Sequence, residues 1–146
     1  MAISTDAVGK TYPPATYAVG REKIREYALA VGETDRLHLD VEHARAKGYR
    51  DVVAPPMFCV VYCGGALGPV MFDPEVGIDF ARLLHSGQEF RWGPLVVAGD
   101  EVETTMTVKD ISARGAMGFY TFESVSKNQD GHVVCVGTWS NIVRGE

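Results

Sequence analysis

VVAPPMFCVVYCGGALGPVMF, Val52–Phe72, carries no charged side chain, and its reading decides the fold. Two assignments compete for it: a membrane span, or a helix buried inside a protein. A spanning helix needs ~20 predominantly apolar residues with few breakers. This stretch contains Pro55, Pro56 and Pro69, together with Gly64, Gly65 and Gly68. A helix that is apolar all round is also characteristic of a protein interior. Proline is tolerated in the first helical turn, so the spacing predicts a long buried helix from Ala54-Pro55-Pro56 to about Gly68-Pro69. Such a helix needs covering on most sides.

The residues that follow supply a cover. Val102, Thr104, Met106 and Val108 alternate with Glu103, Thr105, Thr107 and Lys109, the period of a half-buried strand. Met117, Phe119, Thr121, Glu123 and Val125 continue the rhythm, and Asn128-Gln129-Asp130-Gly131 reads as a hairpin turn into His132–Val143. Gln88–Trp92 reads as another strand, broken by Gly93-Pro94, and Ala98-Gly99-Asp100 as a turn. Before the uncharged segment the period is helical. In GREKIREYALAV (20–31), Ile24, Tyr27, Ala28 and Val31 share one face, and Gly32 supplies a stop. Asp40 can cap a second short helix, VEHARAKG, which Gly48 ends. Residues 1–16 read as an arm ending in Tyr12-Pro13-Pro14. Helices first and antiparallel strands after give an α+β class, with a curved sheet wrapped around the uncharged helix. That sheet leaves an edge, which dimerisation would protect.

The whole chain, 1–146, reads as one domain, since 146 residues with 46% hydrophobic content can bury a real core. A net charge of -5, without a local Lys/Arg cluster, speaks against a nucleic-acid partner. The opening MAISTDAVGK lacks the charged-then-apolar pattern of a signal peptide, so a cytoplasmic protein without a membrane span is the expectation. Three cysteines make no disulfide framework. Cys59 and Cys63 fall on one helical face without a second pair, so they read, like Cys135, as core thiols rather than metal ligands. No phosphate-cradling glycine motif is present.

Chemistry concentrates in VGETDRLHLD, Val31–Asp40, where Glu33, Asp35 and His38 lie within a few positions of one another. An imidazole suits acid–base work at neutral pH, and a neighbouring carboxylate can orient it or share the activation of a water. The bland alternatives stay open: a solvated Glu33, a turn-forming Asp35, and a structurally satisfied or surface His38, which is the usual place of a lone histidine. The start of the uncharged helix is the second element. Its first-turn N–H groups are unpaired and partly positive, suited to a carbonyl oxygen that gains negative charge. Pro55 and Pro56 donate nothing, so Met57 and Phe58 are the candidate donors, unless loop or water caps the end. His43, His85 and His132 read as exposed or structural.

Gly32-Glu33-Thr34-Asp35-Arg36-Leu37-His38 resembles the hydratase motif of the MaoC-like hot-dog family, in which Gly-Asp is followed by any residue, then Asn-Pro, an aliphatic residue and His. The resemblance extends through YAVGREKIREYALAVGETD, AKGYRDVVAPPMF and HSGQEFRWGPLVVAGDEV, and covers about residues 12–143. It is nearest to single-domain chains resembling the A and C subunits of actinobacterial (3R)-hydroxyacyl-ACP dehydratase. The family implies an antiparallel sheet around one helix, here about Pro56–Val70, and a dimer with a continuous sheet. It implies reversible addition of water to a trans-2-enoyl thioester of CoA or acyl-carrier protein, without metal or redox cofactor. Carried over position by position, Glu33 and His38 hold and activate the water, and the Met57 and Phe58 amides bind the thioester oxygen. The acyl chain would lie along Phe58, Tyr62 or other residues of the uncharged helix. Three positions depart from the motif: Glu33 for Asp, Asp35 for Asn and Arg36 for Pro. A shift of ~1 Å can cost ~100-fold in rate. Either Glu33 follows another backbone path, or Asp35 takes its place. Many chains of the A and C kind do not turn over themselves and bind the acyl chain beside an active partner. The readings that remain are a hydratase, as homodimer or heterodimer, a silent subunit of a heteromeric dehydratase, and a module that only holds acyl thioesters.

Overall fold

The computed structural model describes residues 3–145, so residues 1 and 2 of the expected arm lie outside it. Five strands form one antiparallel sheet: β1 (Ala15–Ala18), β2 (Leu83–Trp92), β3 (Glu101–Arg114), β4 (Met117–Lys127) and β5 (Val133–Val143). Their order is β1-β3-β4-β5-β2. Four helices precede β2: α1 (Arg21–Ala30), α2 (Arg36–Leu39), α3 (Val41–Ala46) and α4 (Cys59–Met71). A 3-10 turn at Pro56–Phe58 leads into α4. This is the α+β arrangement read from the sequence.

α4 lies mainly over β3 and β1, with further contact to β4. It buries Cys59, Tyr62, Cys63, Ala66 and Val70 against the sheet. The sheet answers with Val102, Thr104, Met106 and Val108 of β3, and with Tyr120, Phe122, Ser124 and Ser126 of β4. On β4 the inward residues are therefore the even-numbered ones, and Met117, Phe119 and Thr121 face away from the core. Full burial of Phe58, Phe122 and Ile24 stabilises the fold by ~1.5–3 kcal/mol each.

Four expectations change. The cover on α4 is one-sided: Val60, Gly64, Gly65 and Pro69 remain exposed. The helix also runs past Gly68-Pro69 to Met71. Burial of Val70 and a latch just beyond the helix outweigh the hydrogen bond that Pro69 forfeits. In that latch Asp73 Oδ2 accepts from Tyr12 Oη and meets Lys10 Nζ, each at 2.6 Å. The supposed arm is sheet edge: Gly9 N donates to Val108 O (2.8 Å), Tyr12 N donates to Met106 O (3.0 Å), and β1 continues the alignment on β3. The fourth change is α2, a short helix inside what read as a loop.

Asp100 ties the crossing loops together. It is buried and accepts from Arg50 Nη2, Val97 N (2.9 Å) and Gln129 Nε2 (2.9 Å), spending its charge within the scaffold.

Candidate active site

The site begins where α1 ends. Gly32 takes a φ of +75°, a left-handed conformation that costs glycine little, and turns the chain into the loop carrying Glu33. The Glu33 side chain folds back on that loop, where its Oε1 accepts from Thr34 N and Asp35 N, both at 3.0 Å. The extra methylene relative to aspartate is thus taken up locally, and Oε2 has no partner among the described residues. Asp35 is exposed and caps α2, its Oδ1 accepting from Leu37 N at 2.8 Å. Arg36 pairs with Asp40 at 2.6 Å, and Asp40 in turn caps α3 through His43 N at 3.0 Å. Two of the three departures from the motif, Asp35 and Arg36, are thereby accounted for as parts of helix ends.

α2 carries His38 as its buried residue. The residue is 9% exposed, and its Nδ1 lies 2.5 Å from the carbonyl oxygen of Val53. A carbonyl only accepts, so Nδ1 carries a proton, and in the neutral ring the lone pair is on Nε2. The same segment is held in return, because Val53 N donates to Leu37 O at 2.9 Å. Neither Glu33 nor Asp35 is hydrogen-bonded to the His38 ring among the described residues. The structure thus places Glu33 and His38 at opposite ends of one capped turn, with Asp35 as the cap between them.

Beyond Val53 the chain reaches the helix start. Phe58 N donates to Pro55 O at 2.9 Å, closing the 3-10 turn, so this amide is already spent. The Phe58 ring is fully buried, edge-on to Tyr27 (5.6 Å), Tyr17 (6.3 Å) and Tyr62 (6.3 Å). Of the two expected donors, only Met57 N–H has no acceptor among the described residues. The Met57 side chain is itself exposed.

Next to this end lies an apolar cavity of about 170 Å³. Its walls include Pro55, Pro56, Tyr62, Trp92, Leu95 and Val134. It begins at Ala54, one residue from the carbonyl that holds His38. Tyr62, expected from the sequence, is therefore a lining residue. Burial pushes its hydroxyl pKa well above the ordinary range, so the cavity meets a neutral ring. Sequence reasoning missed the Val53 carbonyl, Trp92, Leu95 and Val134. For Trp92 a signal was present, an aromatic directly before Gly-Pro. The Val53 carbonyl left none, because any residue supplies one.

The three cysteines are free and buried. His132 and His85 are exposed, and His85 Nε2 lies 3.0 Å from Gln88 Oε1. His43, read as exposed, is half-buried. Among the described residues no helix is long and apolar enough to cross a membrane.

Comparison with known proteins places this geometry. Residues 6–136 match the model of the FAS1-like dehydratase domain region. A UPF0336 protein of Leifsonia xyli subsp. xyli is 43% identical over 139 residues, covering 94% of this chain and 93% of the relative. A UPF0336 protein of Saccharopolyspora erythraea is 39% identical over 146 residues, covering 99% and 94%. Among solved structures, a MaoC-like dehydratase superposes with a TM-score of 0.83 at 28% identity, covering 96% of this chain and 43% of that one. This chain thus spans under half of that larger protein. The C-terminally truncated HadBC (3R-hydroxyacyl-ACP dehydratase) complex of Mycobacterium tuberculosis superposes with a TM-score of 0.79 at 26% identity, covering 94% and 98%. With a matching family model across most of its length and the sheet-on-helix geometry of these dehydratases, the chain belongs to the FAS1-like dehydratase-region family of MaoC-like hot-dog proteins.

Proposed function

We propose that the protein is an (R)-specific hydro-lyase that interconverts trans-2-enoyl and (R)-3-hydroxyacyl thioesters. One observation carries the reading: a buried imidazole, His38, held at Nδ1 by the carbonyl of Val53, a residue that lies shortly before a helix start whose Met57 N–H has no acceptor among the described residues. In the hydration direction His38 Nε2 takes a proton from water as its oxygen bonds to C3. The electron pair of the C2–C3 double bond moves toward the thioester carbonyl, and the Met57 amide stabilises the oxygen that gains charge. Glu33, anchored through Oε1, uses Oε2 to hold the water, and the proton returns to C2. The thioester itself activates C3, so this chemistry calls for no metal or redox group. The thioester is that of CoA or an acyl-carrier protein.

The partner in this reading is a second hot-dog unit, identical or related, seated on the open face of α4 and the edge strand β2. The HadBC neighbour is itself a complex. A second reading, the silent subunit of a heteromeric dehydratase, is favoured by Glu33 standing where the motif has aspartate, with one oxygen taken up by its own loop.

The test is hydration of crotonyl-CoA by the purified chain, followed by loss of enoyl absorbance. Turnover that falls ~10²–10⁴-fold in His38→Ala supports the enzyme. Turnover seen only after a related hot-dog chain is added, and unaffected by His38→Ala, supports the silent subunit. Acyl-thioester binding without turnover under either condition supports a module that only holds its ligand.

A further inference from the structure

The far end of α4 carries a second cavity, of about 630 Å³, that shares no residue with the helix start or the His38 turn. The segment between α4 and β2 forms one side of it, and β4 and the end of β5 form the other. Both sides are held in place. Val76 N and Gly77 N donate to Asp73 O, each at 3.1 Å, within the latch, and the Val76 side chain is buried. Arg144 N donates to Arg82 O at 3.0 Å, which joins the two sides. The space has the size of a small-molecule pocket, several times the ~150 Å³ that holds one benzene.

Tyr120 is the unusual group in its wall. The residue is 3% exposed, yet its hydroxyl has no hydrogen-bond partner among the described residues. Burial alone pushes its pKa up, so the phenol keeps its proton and has it to donate. A buried hydroxyl left unmet is costly. The ring lies along β4 because Gly118 leaves it room: a Cβ there would stand 2.8 Å from Tyr120 Cε2 and 3.3 Å from its hydroxyl oxygen. Gly118 pairs with Val143, so the hydroxyl is brought beside the strand position that precedes Arg144. The other charges of the wall are committed. Glu75 meets Lys10 at 2.7 Å, and Asp79 meets Arg82 at 3.6 Å. The Arg144 side chain is exposed and has no partner among the described residues. Ile3, Pro74, Ile78 and Val143 add apolar wall. Water meets a hydroxyl and a guanidinium but gains nothing from that apolar surface. An occupant that satisfies all three has an anionic head and an apolar body.

We infer that this cavity is a second binding site, for a small amphiphilic carboxylate, with the head at Arg144 and the Tyr120 hydroxyl and the body along Ile3, Pro74, Ile78 and Val143. The guanidinium presents a fork of donors that matches a carboxylate, and the phenol adds a charge-assisted hydrogen bond. A thioester lacks that charge, so the site stands or falls separately from the hydro-lyase reading. The experiment is calorimetric titration of the full chain with octanoate, with octanol and octanoyl-CoA as comparisons, and amide correlation spectra to locate the ligand. Octanoate is expected to bind with a Kd below about 1 mM and to shift the amides of Ala116, Tyr120 and Val143. Octanol should bind ~10-fold more weakly, and equally to wild type and Arg144→Gln. Tyr120→Phe and Arg144→Gln should each weaken octanoate ~10-fold, while octanoyl-CoA binding and any crotonyl-CoA turnover stay unchanged. Tyr120→Phe removes an unmet hydroxyl, so its melting temperature should equal or exceed that of wild type, which separates a lost ligand contact from lost structure. Absence of octanoate binding, binding that either variant leaves at full strength, or shifts confined to the Met57 and Phe58 amides overturns the inference. Octanoate binding as expected, with no crotonyl-CoA turnover under any condition, leaves this site standing and overturns the hydro-lyase reading alone.

Discussion

Glu33 is a side chain with two possible jobs, and its geometry separates them. Oε1 is engaged by two backbone amides of its own loop, so part of its value is structural. Glu33→Gln keeps an oxygen acceptor for both amides and removes only the charge. Its melting temperature should match wild type, while kcat for crotonyl-CoA falls ~100-fold or more. Glu33→Ala should lose that activity and also ~1 kcal/mol of stability, as other capping acceptors do when removed. Full activity in Glu33→Gln would leave the residue as loop furniture. At this scale the sequence was informative where chemistry depends on residue type. His38 and Glu33 stood out because few side chains handle protons near neutral pH. Asp35 misled, because an aspartate beside a histidine looks the same whether it meets substrate or caps a turn. The Phe58 amide misled for a related reason: a 3-10 start satisfies one donor that an α-helical start would leave open.

The latch at the far end of α4 belongs to the scale of elements. Hydrogen bonds from Lys10, Tyr12 and the Glu75 amide hold the Asp73 pKa down to about 2. A folded value below the unfolded one adds stability that is complete above an ordinary carboxylate pKa and drains as pH falls. Asp73→Asn should therefore melt earlier than wild type at pH 7, and the gap should close between about pH 4 and pH 2. A gap constant across that window would assign the latch to packing instead. Gly93→Ala tests the opposite end. The new methyl has no room against the Val133 carbonyl, so unfolding by urea should show ~1–3 kcal/mol of destabilisation. Helix and strand identities were legible from period alone, and α1 and α3 ended within two residues of their expected stops. Extents were less so. β2 begins at Leu83 rather than Gln88 because pairing with β5, through a bulge between His85 and Gly87, carries it beyond its alternating core. β1 escaped notice because four residues give too little pattern, and its place is set by pairing with β3, from which the helices and β2 separate it in sequence.

For the whole molecule, the instructive feature is what stays uncovered. The uncharged segment predicted a helix enclosed on most sides, yet one face of α4 is open, and Val60, Leu84, Trp92 and Leu95 are exposed apolar groups. The sequence stated how apolar the helix is, but one chain cannot reveal how many chains share the burial. If a second hot-dog unit supplies the missing cover, sedimentation at micromolar concentration should give a dimer for the chain alone or on mixing with a related chain. Val60→Asp should then shift it to monomer without unfolding it, since the residue is 37% exposed. Retention of the dimer in Val60→Asp would move the interface elsewhere. The core itself contains its own reporters. Cys59 and Cys63 project from α4 and Cys135 from β5, all free, and each is sealed from solvent in the native state. Alkylation by a small reagent therefore waits for the seam to part. Mass spectrometry of partly labelled samples can distinguish two histories. Three adducts arriving together mean that helix and sheet separate in one event, whereas two arriving before the third mean that the helix lifts first.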